Sequence, residues 1–240
     1  MTATSYGEYY AMVGNEQDTG TTWIQSQICR IPAAGPVTIK LAEGNVIKGY
    51  STGENKITSL TAVAEVADGN VGTLAYNWYN ILGDEAESIG NAATLTLAEQ
   101  AYGDYYATVQ HDLNNSPATS ASMKDNDIIV SIRPEPVRPA RENLSIEYNE
   151  DQDAYICKEN SGMDDLQYQW KYVDNETGKE FPLFGGLYTS TNKVTITDIV
   201  NATGSEPTVN DSLEVRVRQI RFQGDAIERT SGNTVLSYSF

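Results

Sequence analysis

The chain is poor in the residues from which catalytic and metal sites are built. Among 240 residues there is one histidine, His111, and there are two cysteines, Cys29 and Cys157. Two distant cysteines make no disulfide framework, and with a single histidine they cannot complete a four-ligand zinc site. His111 beside Asp112 in "VQHDLNNS" is the one pair that invites a triad, but adjacent strand residues point to opposite faces. No Gly-x-Ser-x-Gly nucleophile turn accompanies it, so a loop-end histidine is expected there. Neither GxxxxGK[ST] nor GxGxxG occurs, which leaves phosphate cradling by a glycine loop without support. Carboxylates abound, but no pair stands out as an acid–base couple. The expectation is no catalytic residue, no cofactor, no metal and no enzyme. Sixteen Lys and Arg against 33 Asp and Glu give a net charge of −17, which argues against nucleic acid as a partner, because phosphate contact needs clustered cations. No run approaches the ~18 apolar residues of a membrane span. The opening "MTATSYGEYYAMVGNEQDTG" lacks the basic and apolar regions of a signal peptide, so synthesis in a cytosol is expected.

What the chain does have is tyrosine, 15 of them against 4 Phe, in segments of strict alternation. "LAYNWYNIL" sets Leu74, Tyr76, Trp78 and Asn80 on one face, and "DSLEVRVRQI" sets Leu213, Val215 and Val217 against Glu214, Arg216 and Arg218. "KITSLTAVAEV" alternates likewise. Period-2 patterns of this kind are strand signals, and clusters such as "ADGNVG", "DNETGK" and "NATGSEP" are the turns between them. One helical turn is expected at 98–102. "IRPEPVRPA" (132–140) holds three of the eight prolines and reads as a stiff linker. The resulting organisation is an arm over 1–34, a domain over 35–133, a linker over 134–140 and a domain over 141–240. Charge is −2 in residues 1–33, −7 in 34–133 and −8 in 134–240, counted from the sequence. The two halves repeat: "LAYNW" recurs as "LQYQW", "ATLTL" as "KVTIT", and "DYYATV" as "SLEVRV", in the same order.

This pattern resembles the immunoglobulin-like superfamily. Trp78 and Trp170 are similar to that family's strand-C tryptophan, and "LTLAEQAYGDYYA" to its E–F stretch with Gly103 in the turn and Tyr105 as the corner tyrosine. The resemblance implies an all-β fold of two tandem immunoglobulin-like β-sandwiches with an N-terminal extended arm. It also implies that the Tyr105 hydroxyl bonds back to the turn. Ala107 stands where the family has its strand-F cysteine, and the strand-B site falls near Ala64 or Val66. In the second half Cys157 has the strand-B spacing, opposite Val215 or Val217, and is expected to be a buried free thiol. The missing bridges fit a reducing compartment.

The arm carries Tyr9, Tyr10 and Trp23 among polar residues, with "TTWIQSQICRI" as one strand. It either packs on the first sandwich or reaches a neighbouring subunit. "EFPLFGGLY", with Phe181 and Phe184, is either an edge strand folded onto its own domain or an exposed contact patch. Arg216 and Arg218 either pair with acids across strands or meet an acidic neighbour. Tyr9, Tyr10, Trp23, Phe181, Phe184, Arg216 and Arg218 are thus the candidate interface residues. "YNEDQDAY" is a hairpin-like turn whose Asn149, Glu150, Asp151 and Asp153 offer calcium an incomplete set of oxygens. Immunoglobulin-like domains of this kind, without staples, resemble those of tailed-phage auxiliary capsid, head-fibre, neck and tail proteins. That resemblance implies a virion component, with major capsid or neck and tail subunits as partners, host surface glycans as a further partner, and no membrane. A bacterial adhesin or stalk module and a carbohydrate-binding module remain alternatives.

Overall fold

The structure is a computed structural model that describes residues 4–17, 20–44 and 48–240, with the backbone alone at 15–17, 20 and 21. The chain divides into two units, 1–134 and 135–240.

The first unit begins with four strands, β1 (Gly7–Tyr9), β2 (Met12–Gln17), β3 (Gly20–Gln25) and β4 (Cys29–Ile31). Among the described residues they pair only with one another: β2 with β3 in the register Val13↔Ile24 and Gly14↔Trp23, and β1 with β4 in the register Glu8↔Arg30. The result is one long two-stranded ribbon. The stretch expected as a single strand, "TTWIQSQICRI", is therefore two, β3 and β4, interrupted at Ser26–Ile28.

The sandwich follows. β5 (Val37–Leu41), β6 (Lys48–Tyr50), β7 (Ser59–Val66), β8 (Thr73–Leu82), β9 (Glu85–Gly90), β10 (Thr94–Thr96), β11 (Gly103–Asp112), β12 (Thr119–Ser122) and β13 (Val130–Arg133) come in that chain order. They form a β10-β7-β5 sheet and a β6-β13-β11-β8-β9 sheet, with β12 also on β11. This is the immunoglobulin-like arrangement: strands A, B and E on one side, C, F and G on the other. Alternation decides what fills the space between them. Val37, Ile39 and Leu41 of β5 are buried while Thr38 and Lys40 are exposed, as the two-residue strand period requires. Trp78 lies at the centre with no exposed surface, and Ala107 is directly opposite it on β11. In strand B, Leu60 and Ala62 are buried, and Ala64 and Val66, near which the cysteine site is expected, are partly buried against the same core. Residues 98–102 make a turn closed by Ala101 N–H to Ala98 C=O at 3.1 Å, with no helix.

The corner is built differently from the resemblance. Tyr105 is buried, but among the described residues its hydroxyl has no hydrogen-bond partner. The turn is held instead by Arg133 Nη1 to Gly103 C=O at 2.7 Å and by the Ser51 hydroxyl to Ala101 C=O at 2.8 Å. Gly103 is needed for space rather than for its dihedrals. A Cβ there would lie 2.2 Å from Asn80 Oδ1, far inside van der Waals contact. Gln100, at φ 63°, takes the left-handed position in this turn.

The second unit repeats the plan with β14 (Leu144–Asn149), β15 (Ala154–Glu159), β16 (Leu166–Asp174), β17 (Lys179–Pro182), β18 (Lys193–Thr195), α1 (Ile196–Thr203), β19 (Ser212–Arg221), β20 (Arg229–Thr230) and β21 (Thr234–Ser239). One sheet is β14-β15-β18 and the other β17-β16-β19, with β20 and β21 both on β19. The internal repeat extends to single bonds. Trp78 Nε1–H donates to Ala92 C=O at 3.1 Å, and Trp170 Nε1–H donates to Thr191 C=O at 3.2 Å. Each acceptor lies two residues before strand E, so each indole ties the loop into its own core. Val215 faces Trp170 as Ala107 faces Trp78, which fixes Val215 as the counterpart of the family's strand-F cysteine. Cys157 is a free thiol with no exposed surface, and burial pushes its pKa up to about 12.

Two features of this unit depart from the expected strands. "KVTITDIVNATG" is a short strand followed by a helix. Thr195 Oγ1 accepts from Asp198 N–H, the Asp198 carboxylate accepts from Thr195 N–H, and Gly204 at φ 83° ends it. This capping box together with a left-handed glycine stop defines α1, and Ile199 is sunk in the core. In place of a tyrosine corner, the Tyr172 hydroxyl donates to Asp211, just before β19, which also accepts from Thr208 N–H at 2.7 Å. Residues 135–140, expected as linker, are bonded to this sandwich: Val137 N–H donates to Gln219 Oε1 at 3.0 Å, and Arg138 Nε to Thr234 Oγ1 at 3.2 Å.

Candidate interaction surface

The ribbon carries a group of apolar side chains that are not covered by protein. Val13, Trp23 and Ile24 are 66%, 60% and 70% exposed, and Tyr6, Tyr9, Tyr10, Met12 and Ile28 are exposed as well. These side chains are not covered by the first sandwich, which the arm meets at its base. The physical reason is that Val13 pairs with Ile24 and Trp23 crosses Gly14, so the strands satisfy each other's backbone and need no sheet beneath. Gly14 lets the indole approach closely: a Cβ there would lie 2.8 Å from Cζ3 and displace the ring. Two-stranded ribbons of this kind are marginal alone in water. The exposed apolar side chains make the ribbon the candidate contact surface.

The base of the ribbon is fixed. Both its incoming and its outgoing strand are bonded to the loop after β11. Tyr6 N–H donates to Asn114 C=O at 2.7 Å, Asn114 Nδ2 to Pro32 C=O at 2.9 Å, and Ala34 N–H to the Ser116 hydroxyl at 2.7 Å. Asn114 and Asn115 adopt φ of 51° and 54° to make this socket, a left-handed conformation that asparagine tolerates better than most residues. His111 completes it from below. Nδ1 lies 3.1 Å from Gly35 C=O, and Nε2 accepts from Gly72 N–H at 3.2 Å. A ring nitrogen that accepts an N–H carries no proton, so Nδ1 is the donor. His111 has no exposed surface, which corrects the expected loop-end histidine. In β11 it shares the inward parity of Tyr105, Ala107 and Val109.

The second cluster of candidates is largely internal. Phe181 and Phe184 are half-buried and packed against the core of the second sandwich, and Leu183 between them is fully covered. They are therefore part of their own domain and not free contact residues; the tight 183–186 turn, with Phe184 and Gly185 both left-handed, folds them inward. Of the large apolar side chains of this loop, Leu187 is the one largely exposed. Arg216 is exposed and pairs loosely with Glu214 at 3.4 Å on its own strand. Arg218 stacks over the Tyr188 ring at 3.8 Å and donates to Gln167 Oε1 at 2.9 Å. Of the seven candidate interface residues, the ribbon brings together Tyr9, Tyr10 and Trp23; the other four belong to the second unit. Sequence reasoning placed Ile24 and Ile28 among the arm's apolar residues but missed Val13, because a lone valine in a strand ordinarily marks a core.

At 149–153 the chain makes a hairpin turn in which Gln152 N–H donates to Asn149 Oδ1 and the Tyr148 hydroxyl to Asp153. Among the described residues no three His, Cys, Asp or Glu are grouped to hold a metal ion. No described helix is long and apolar enough to cross a membrane.

No protein-family model and no curated protein matches the chain. Among solved structures it is similar to the three N-terminal domains of the bacteriophage RB49 highly immunogenic outer capsid protein, Hoc, at 17% identity over all of this chain and 80% of that one, with a TM-score of 0.35. It is similar to the FN1–FN3 domains of chicken CNTN1 at 13% identity over 98% of this chain and 76% of that one, TM-score 0.26. A chain of a cytokine receptor complex follows at 11% identity, covering 84% and 95%, TM-score 0.24. TM-scores this low give the likenesses no weight on function, and the immunoglobulin-like assignment stands on strand order and register.

Proposed function

We propose that this chain is a non-enzymatic structural component of a tailed-phage particle, an auxiliary or decoration protein held by its N-terminal ribbon and displaying two immunoglobulin-like sandwiches. The observation that carries the reading is the ribbon: an apolar surface, hydrogen-bonded at its base to the first sandwich, with Trp23 near its centre. A binding role in place of a chemical one is supported by the single histidine, sealed between two backbone groups. The two sandwich tryptophans, Trp78 and Trp170, are sealed in cores, where neither can serve as a sugar platform. The particle as the place of assembly rests on the sequence resemblance and on two sandwiches that hold their folds without a disulfide. Major capsid, neck or tail subunits are the proposed partners. Quantitative mass spectrometry of gradient-purified particles and of the host envelope tests this. A fixed number of copies per particle is expected; recovery with the envelope and absence from particles would favour the adhesin reading instead.

A further inference from the structure

We propose that the ribbon's partner on one face is the ribbon of a second copy of this chain, so that the unit which docks is a dimer. The inference rests on the reading of the ribbon as the contact element and names what covers half of it. Residues paired directly across an antiparallel ribbon share a face, and neighbours alternate. Met12 and the Gly14–Trp23 pair therefore lie on one face, and the Val13–Ile24 pair on the other. A ribbon apolar on both faces needs two covers. The eight exposed apolar side chains offer roughly 1,000 Å² per copy, taking aromatic side chains at about 150–250 Å² each. Of that, Met12 and Trp23 are the side chains the register places on the Trp23 face, so self-pairing there makes a small contact at the weak end of specific interfaces.

Charge selects the same element. Residues 1–33 carry −2 while the two sandwiches carry −7 and −8, so two copies repel through their bodies and approach each other most readily through the ribbon. The face that self-pairs is the Trp23 face. Its indole lies flat across Gly14, which leaves a broad surface that a two-fold mate can match, and tryptophan is the commonest anchor of such interfaces. The Val13–Ile24 face is then left for the particle, and both contacts exist at once.

The test uses the full chain. Sedimentation equilibrium distinguishes 26.3 kDa from twice that mass. Cys29 is exposed and Cys157 is buried, so two pools labelled at Cys29 with donor and acceptor dyes report directly on whether ribbons meet. A dimer with energy transfer is expected, strengthened by salt as the repulsion between the acidic bodies is screened. Trp23→Ser should weaken it by on the order of 30-fold, the size of a ~2 kcal/mol anchor. Val13→Ser, on the other face, should leave it within about threefold. Circular dichroism checks that both variants keep their sandwiches. A monomer at about 100 μM, or a dimer indifferent to Trp23→Ser, overturns the inference. A monomer whose ribbon deletion still abolishes incorporation into particles overturns the dimer and keeps the docking role. A Trp23-dependent dimer incorporated equally well without its ribbon does the reverse.

Discussion

Replacing His111 by alanine should destabilise the first sandwich and leave the second untouched. The size follows from what the imidazole holds. Gly35 C=O keeps a second donor, the Thr119 hydroxyl at 2.7 Å, so it is not orphaned. Gly72 N–H loses the acceptor it has in Nε2. It cannot turn to water cheaply, because the backbone there is pressed against β11: a Cβ on Gly72 would lie 2.1 Å from Asp112 C=O. An orphaned buried amide costs about 1–3 kcal/mol, and the empty imidazole volume adds about 1–2 kcal/mol. A total near 3 kcal/mol corresponds to a fall of roughly 12–24 °C in the melting temperature of a 100-residue domain. Calorimetry should show one of two transitions moving by that amount. Hydrogen exchange should show the loss of protection in β11 and at Gly72. His111→Gln, whose amide can still accept from Gly72, should lose about half as much. A loss below about 1 kcal/mol would refute the reasoning, because that is what a solvated surface histidine would give.

Three further outcomes follow from the second sandwich and the free thiols. Reducing agent should leave both melting transitions unchanged, since neither cysteine is bridged; a large fall would contradict the assignment of the cores. The Cys157 thiol, ordinarily near 9, is raised to about 12 in the fold. A raised thiol keeps its proton in the native state while the unfolded chain releases it, so stability is complete below pH 9 and is lost as pH rises above it. The loss reaches about 2.5 kcal/mol by about pH 11, and Cys157→Ala should flatten that part of the profile in urea titrations. Burial alone would raise the Asp211 carboxyl, but the Tyr172 hydroxyl and the Thr208 donors outweigh it and hold it below its ordinary value. Stability from this carboxylate is present above pH 4 and is lost as pH falls below it. Tyr172→Phe should lower stability above pH 4 and flatten its fall in the acid range, as read by the second transition.

Much of the sandwich is legible in the sequence because a two-residue period admits few alternatives. Trp78 and Trp170, each in Leu-x-Tyr-x-Trp, locate strand C in both halves, and the strands around them follow from alternation. His111 was equally legible. It falls on the parity of Tyr105, Ala107 and Val109, and its burial follows once β11 runs to Asp112. The helix α1 was masked by β-branched residues in "VTIT", although Thr195, Asp198 and Gly204 carry the start and stop signals of a capped helix. The inward fold of Phe181 and Phe184 has no local signal, since it depends on where a left-handed turn carries them relative to a core formed by distant strands. The ribbon is hardest of all. Its pattern is that of ordinary strands, and only the absence of any sheet beneath it distinguishes a contact element from a core.

Docking by the ribbon is the claim on which the functional account rests, and occupancy in assembled particles tests it most directly. Full-length chain and chain lacking residues 2–33 are supplied during assembly, and copies per purified particle are counted for each. The account predicts that the shortened chain, with both sandwiches melting normally, is lost from particles at least tenfold. Equal occupancy of the two forms would contradict it.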